Sequence, residues 1–305
     1  MRVAAIDLGT GATRLLVADV HDGTLHPLHR ETRLTRLGEG VDARRRLLPV
    51  PIARVRNCLS DYRRTIEELG AERALAVATS AVRDADNGEA FLGEVEWSYG
   101  FATRLLSGDE EAELARRGVG ELTPRTLLVD IGGGSTELSV DGFRTSLDVG
   151  SVRLTERHLH GDPPSDDELA ACADAIDALL PQLDVREAVA VSGTPVRLAA
   201  LDLRLERHDH ERVHGHVLDA RAIDELTARL AAMTVAERRA LPTMEPERAP
   251  AIAAGALILR EIVRRYRLDG VRVSERDLLD GAALVAAELP APEEGAAPPG
   301  AFTCC

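Results

Sequence analysis

The sequence predicts an α/β fold of two like domains, and three observations predict it. The run Leu127-Leu128-Val129-Asp130-Ile131-Gly132-Gly133-Gly134-Ser135-Thr136-Glu137-Leu138 passes from an apolar stretch through an acidic, Gly-rich turn into a second apolar stretch. The N-terminal run Asp7-Leu8-Gly9-Thr10-Gly11-Ala12-Thr13-Arg14-Leu15 repeats it: Asp, Leu or Ile, Gly, any, Gly, any, Thr, any, Leu. After each copy, short apolar strands alternate with stretches of helical periodicity.

The turn has chemistry of its own. Consecutive glycines remove the β-carbons, so backbone N–H groups can close around an anion. Asp130 at the strand end and Glu137 beyond the turn are placed to hold a divalent cation against that anion. Two such hairpins, a domain length apart, suggest two like domains facing each other across a phosphate-holding cleft. The expected domains are 1–124 and 125–289, with 290–305, rich in Pro, Ala, Gly and Glu, as a disordered tail.

Val3 to Ile6 and Leu15 to Val20 read as the first hairpin, and a third extended stretch reaches Leu34. Arg36-Leu37-Gly38-Glu39-Gly40-Val41-Asp42 reads as a turn-rich loop. Pro51 to Leu69 has helical periodicity and stops at Gly70. Ala74 to Ala78 is a short strand, and Arg83 follows it through the small-residue loop Ala78-Thr79-Ser80-Ala81. Glu89 to Gly100 is a helix and Thr103 to Leu106 a strand. Ser107 with Glu110 fits a capping box, so a helix starts there. In the second domain, Ser165 to Leu180, Ala220 to Met233 and Ala249 to Tyr266 read as helices. Ala188 to Val191 and Val271 to Val273 read as strands.

Net charge is −14, from 51 acidic and 37 basic residues, and no residue is lysine. That balance argues against a nucleic-acid or membrane surface, which would be basic. It leaves room for a polyanionic substrate, because a metal ion and local arginines can reverse the sign inside a site. Cys58, Cys172, Cys304 and Cys305 show no metal or disulfide spacing. No apolar run is long enough to span a bilayer. A soluble, cytoplasmic protein is expected.

Phosphoryl transfer to water needs a carboxylate that orients or deprotonates the water, and cationic groups on the phosphoryl oxygens. Asp109-Glu110-Glu111 offers the carboxylates. All three could simply complement a helix N-terminus, but Ser107 and Glu110 account for the cap and leave Glu111 for other work. Arg83 could contact phosphate or pair with Asp84 or Asp86. Gly193-Thr194, after a strand, could be a third phosphate-contacting turn or an ordinary β-turn. His208, His210, His214 and His216 have a spacing that can bind transition metals, yet their charged surroundings read better as a solvated loop. Cys304-Cys305 resembles a prenylation ending and is read as incidental.

With these residues in hand, the chain resembles the exopolyphosphatase and guanosine pentaphosphate phosphohydrolase family up to about Leu289. The motifs stand in order: Ala5 to Thr10, Arg36 to Gly40, Ala78 to Ala85, Ser107 to Ala112, Val129 to Glu137, Ser192-Gly193-Thr194, and Ser274-Glu275 with Leu279-Asp280-Gly281. The resemblance implies two ribonuclease-H-like domains, as in actin, sugar kinases and heat-shock chaperones, around a central phosphate cleft. It implies that Glu111 is the catalytic carboxylate. Asp130 and Glu137 would flank Mg2+, with Asp7 opposite on the phosphate side. Thr10, Gly11, Arg83, Gly132, Gly133, Gly134, Ser135, Gly193 and Thr194 would contact phosphate.

Two departures stand out. Gly11-Ala12 replaces the usual Asn then Ser, which could weaken phosphate binding. Arg248-Ala249-Pro250 replaces Arg-x-Asp, which is expected to alter a helix start. The implied activity is Mg-dependent release of terminal phosphate from inorganic polyphosphate. The alternatives are a 5′-phosphohydrolase of guanosine pentaphosphate, a kinase of the same fold, and a catalytically weak polyphosphate or guanosine tetraphosphate sensor. A homodimer is expected by the same resemblance.

Overall fold

In the computed structural model, which describes residues 1–290, the chain opens with a strand buried on both faces. That strand, β1 (Arg2–Leu8), is followed by β2 (Thr13–His21) and β3 (Thr24–Arg33) in an antiparallel meander. A short turn, α1 (Val41–Arg44), precedes the long helix α2 (Pro49–Leu69). Proline opens α2, where a missing N–H costs nothing, and Gly70 closes it at φ 68°. Next come β4 (Arg73–Ala78), the single-turn α3 (Ser80–Arg83), α4 (Gly88–Tyr99), β5 (Ala102–Leu105) and α5 (Gly108–Val119). The first sheet has the order β3-β2-β1-β4-β5, and β4 runs parallel to both β1 and β5. The expected loop at Ala78–Ala81 runs into α3. Its residues are small enough to turn tightly, and the start of α4 tucks beneath it at Gly88, where a β-carbon would lie 2.0 Å from the Val82 carbonyl oxygen.

The second unit repeats the plan. The meander β6 (Thr126–Ile131), β7 (Thr136–Val140) and β8 (Phe143–Leu147) is followed by α6 (Ser151–His158) and α7 (Asp166–Asp177). The strand β9 (Glu187–Val191) runs parallel to β6 and leads into α8 (Gly193–Asp202). The elements α9 (His210–Val213), β10 (Val217–Asp219), α10 (Ala220–Ala232), α11 (Val235–Arg239), α12 (Ile252–Arg265) and β11 (Gly270–Val273) complete it. The sheet order is β10-β11-β9-β6-β7-β8, the first sheet's plan with one added edge strand. Each unit thus has the ribonuclease-H-like strand order. The helix expected from Ala249 is α12, which begins at Ile252, three residues later than periodicity suggests.

The division of the chain differs from the expected one. Among the described residues the units are Met1–Gly120 together with Leu278–Pro290, and Glu121–Asp277. The last helix, α13 (Leu278–Glu288), packs on α5, β1, β2 and β4. The cause lies in β1. Ala4, Ile6 and Leu8 join the core beneath α2, with Val55, Leu59, Tyr62 and Ile66. Successive strand residues point to opposite faces, so Val3 and Ala5, also buried, need a second cover, which α13 supplies. Gly281 permits the approach, since a β-carbon there would lie 1.9 Å from the Leu114 carbonyl oxygen. Asp280 accepts two hydrogen bonds from Arg30 at 2.7 Å. Apart from Pro290, the expected tail at 290–305 lies outside the described residues, as do Cys304 and Cys305.

Candidate active site

The first unit places Glu111 in the opening turn of α5. Ser107 and Glu110 form the capping box: the Glu110 backbone N–H donates to the Ser107 hydroxyl, and the Glu110 carboxylate accepts from the Ser107 backbone N–H at 2.8 Å. That backbone bond, with help from Arg104, holds the Glu110 carboxyl below its ordinary range. Asp109 is exposed. Glu111 turns inward instead and is only 6% exposed, with its Oε2 accepting from Arg83 Nη1 at 3.0 Å. The same arginine nitrogen donates to the Leu106 carbonyl at 2.8 Å. Arg83 therefore meets Glu111 across α3 and α5, which local spacing could not reveal.

The first Gly-rich turn closes with a Gly9 N–H bond to the Ala12 carbonyl at 3.0 Å. Thr10 is buried, and a β-carbon on Gly11 would meet nothing within 4 Å. Space for the missing side chain is therefore present. Asp7 pairs across the strands with Arg14, whose Nε and Nη2 each lie 2.8 Å from Asp7 Oδ2.

The second turn has the same register and different electrostatics. Asp130 and Glu137 are direct cross-strand partners on β6 and β7, at 6% and 3% exposure. Where the first turn sets an arginine against its aspartate, this one sets a glutamate. Two buried carboxylates side by side repel, and the repulsion falls when a cation joins them. Asp130 Oδ1 accepts from the Ser192 hydroxyl and Glu137 Oε1 from the Ser146 hydroxyl at 2.6 Å. These bonds orient both groups. Gly132 N–H closes the turn on the Ser135 carbonyl at 3.0 Å, bringing Gly133, Gly134 and Ser135 to its tip.

At the end of β9, the expected turn at Gly193-Thr194 is the start of helix α8. Ser192 caps it at φ 74°, ψ −176°, a conformation nearly reserved for glycine. The strain is stored where its hydroxyl serves Asp130. Over Gly193 lies the Arg248 guanidinium, with Nη1 only 2.1 Å from where a β-carbon would sit. Glu245 holds Arg248 through Nε at 3.1 Å and also binds Arg197. Burial pushes the Glu245 carboxyl up, but the two arginines outweigh it and leave it below its ordinary value. Sequence reasoning passed over Arg14, Ser146, Ser192 and Arg248 as site residues. The duplicated pattern held one usable signal, Arg14 aligned with Glu137.

The histidines form a clasp. His208 Nε2 and His210 Nδ1 meet the Glu275 carboxylate at 2.9 and 2.8 Å, and His216 Nε2 meets Asp202 at 2.7 Å. Burial pushes Glu275 up, and the two histidines bring it below the ordinary range. Among the described residues no group of three or more His, Cys, Asp or Glu is arranged to hold a metal ion. Cys58 and Cys172 are buried free thiols that burial pushes up to about 11 and about 12. Within the described residues no helix is long and apolar enough to cross a membrane.

Comparison with known proteins places this geometry. Residues 16–287 match the model of the Ppx/GppA phosphatase family. The chain is similar to a Mycobacterium tuberculosis protein named exopolyphosphatase 2, at 41% identity over 93% of this chain and 98% of the relative. It is also similar to a solved Aquifex aeolicus member of the Ppx/GppA family, with TM-score 0.77 and 30% identity over 94% of this chain and 98% of that one. A solved exopolyphosphatase from Cytophaga hutchinsonii gives TM-score 0.84 at 25% identity, covering 92% of this chain and 96% of that one. With a family model spanning most of its length and a full-length relative above two-fifths identity, the chain belongs to the Ppx/GppA phosphatase family.

Proposed function

We propose that this protein is an exopolyphosphatase, hydrolysing the terminal phosphoanhydride of inorganic polyphosphate to release orthophosphate. The observation that carries the reading is the Asp130–Glu137 pair beside the Gly-rich turn: like-charged buried carboxylates next to backbone donors suit a substrate that arrives as a metal–polyanion complex. The full-length relative named an exopolyphosphatase supports it.

Glu111 is the group that orients water and takes its proton. Its burial and its bond to Arg83 fix the carboxylate direction before substrate arrives. In the second unit, backbone N–H groups of the Gly132–Ser135 turn, with Gly193 and Thr194, hold phosphoryl oxygens, and in the first unit Thr10 and Gly11 offer the same kind of donor. Asp7, bound to Arg14, orders the first turn. Asp130 and Glu137 fit a magnesium ion, which when bound would neutralise the anhydride and ease departure of the shortened chain. The protein acts as a cytoplasmic enzyme, and guanosine pentaphosphate is the alternative substrate, since both present a terminal phosphoanhydride.

The test is phosphate release from long-chain polyphosphate with magnesium, for the native protein and Glu111→Gln, with guanosine pentaphosphate in parallel. Release should fall by about a hundredfold or more in the variant. A larger kcat/KM for the nucleotide would move the assignment to the other substrate. No release from either by folded native protein would sink the enzyme reading and favour the sensor.

A further inference from the structure

The second Gly-rich turn is gripped from behind by the start of α6. The Gly132 carbonyl accepts from the Ser151 N–H at 3.0 Å, and the Gly133 carbonyl accepts from the Val152 and Arg153 N–H groups at 2.8 and 3.0 Å. The Gly134 carbonyl accepts from a side chain, Arg153 Nε, at 2.6 Å. Gly150 makes the approach possible, because a β-carbon there would lie 2.4 Å from the Gly133 oxygen. The first turn is gripped at the same place in its own unit, after the third strand. There the Thr10 and Gly11 carbonyls accept from the Gly38 and Arg36 N–H groups, both at 2.9 Å. A β-carbon on Gly38 would lie 2.2 Å from Thr10 Cγ2. Only the second grip uses a side chain.

In a trans peptide the carbonyl and the following N–H point in opposite directions. Fixing the carbonyls of Gly132, Gly133 and Gly134 therefore fixes the N–H groups of Gly133, Gly134 and Ser135, facing away from α6. Among the described residues no backbone carbonyl accepts from these three. The first two carbonyls are held by backbone N–H groups, with the Ser151 hydroxyl also donating to the Gly132 carbonyl at 3.3 Å. The third, which directs the Ser135 N–H, depends on arginine at 153, a residue 7% exposed.

We propose that Arg153 is a positioning residue for phosphoryl binding: by holding the Gly134 carbonyl it aims the Ser135 N–H at the phosphoryl group. The inference rests on the phosphate-binding reading of this turn. In this proposal Arg153 acts through the peptide plane that joins Gly134 to Ser135.

The experiment compares Arg153→Ala and Arg153→Lys with the native protein in three measurements. These are thermal midpoint, kcat and KM on polyphosphate, and tripolyphosphate binding in a Glu111→Gln background, where hydrolysis does not interfere. Arg153→Ala should weaken tripolyphosphate binding and lower kcat/KM by about tenfold to a hundredfold, as misplaced donors do. Added methylguanidinium should restore part of both, which simple loss of packing would not allow. A folded Arg153→Ala protein with native binding and turnover overturns the inference. If the alanine variant does not fold, Arg153→Lys decides it, because lysine keeps the charge without the Nε donor. Native turnover in that protein overturns the proposal, and weakened binding without loss of thermal midpoint supports it. Failure of the parent Glu111→Gln protein to bind tripolyphosphate would remove the phosphate reading and this inference with it. Intact parental binding with an unaffected Arg153 variant removes this inference alone.

Discussion

At the scale of single residues, two positions in equal register carry opposite charge. Arg14 neutralises Asp7, whereas Glu137 adds to the charge of Asp130. One turn carries a counter-charge directly across the strands, and the other sets two acids there. A similar precision marks Glu168, which accepts from the backbone N–H groups of Ser165, His160 and Gly161. Those bonds, Ser165 first, hold its carboxyl down at about 2. The folded value lies below the ordinary one, so the stabilisation is present above the ordinary carboxylate range and is lost as pH falls through about 2. Glu168→Gln should therefore unfold at a lower temperature than the native protein at pH 7, with the gap closing as pH is lowered from about 4.5 towards 2. Thermal melts across that range check it, and a gap that stays constant would assign the loss to packing.

Among elements, α5 and α13 form the pair most sensitive to shape. Gly281 sets the Leu114 turn of α5 directly against α13. Gly281→Ala should destabilise the protein by about 1–3 kcal/mol, the usual cost of overpacking, because a backbone carbonyl cannot rotate away as a side chain would. Denaturant midpoints measure this, and an unchanged midpoint would show that α13 slides at no cost. The capping box of α5 was legible from Ser107 and Glu110 alone, since it is a three-residue, local arrangement. The inward turn of Glu111 was legible by elimination. Its partner Arg83 was not, because the two meet only after β4 and β5 have paired.

For the whole molecule, the chain returns to the first unit at its C-terminal end, and a buried ion pair marks the return. Asp280 is nearly inaccessible and Arg30 about a quarter exposed. Arg30→Met would leave the carboxylate with less compensation and should cost about 2–4 kcal/mol. The loss should appear as reduced amide protection along α13 in hydrogen exchange. Protection that falls equally in every helix would mean a global effect, and unchanged protection would mean that other partners of Asp280 suffice.

The sequence by itself determined the duplicated hairpin turn, the alternation of strands and helices, the α5 cap and, to within a few residues, the ends of the long helices it identified. All are set by nearest neighbours: glycine spacing, apolar period and capping chemistry. It also identified the family, because seven chemically constrained motifs stand in order along the chain. The tertiary structure alone decided which unit owns α13, since a strand buried on both faces accepts any apolar helix of suitable shape, however distant in sequence. It alone decided that Gly193-Thr194 begins a helix, that Arg248 lies over Gly193, and that Arg153 reaches the Gly134 carbonyl. Each of these is a contact across a fold, and residue type constrains such contacts only weakly until the backbones that carry them have packed.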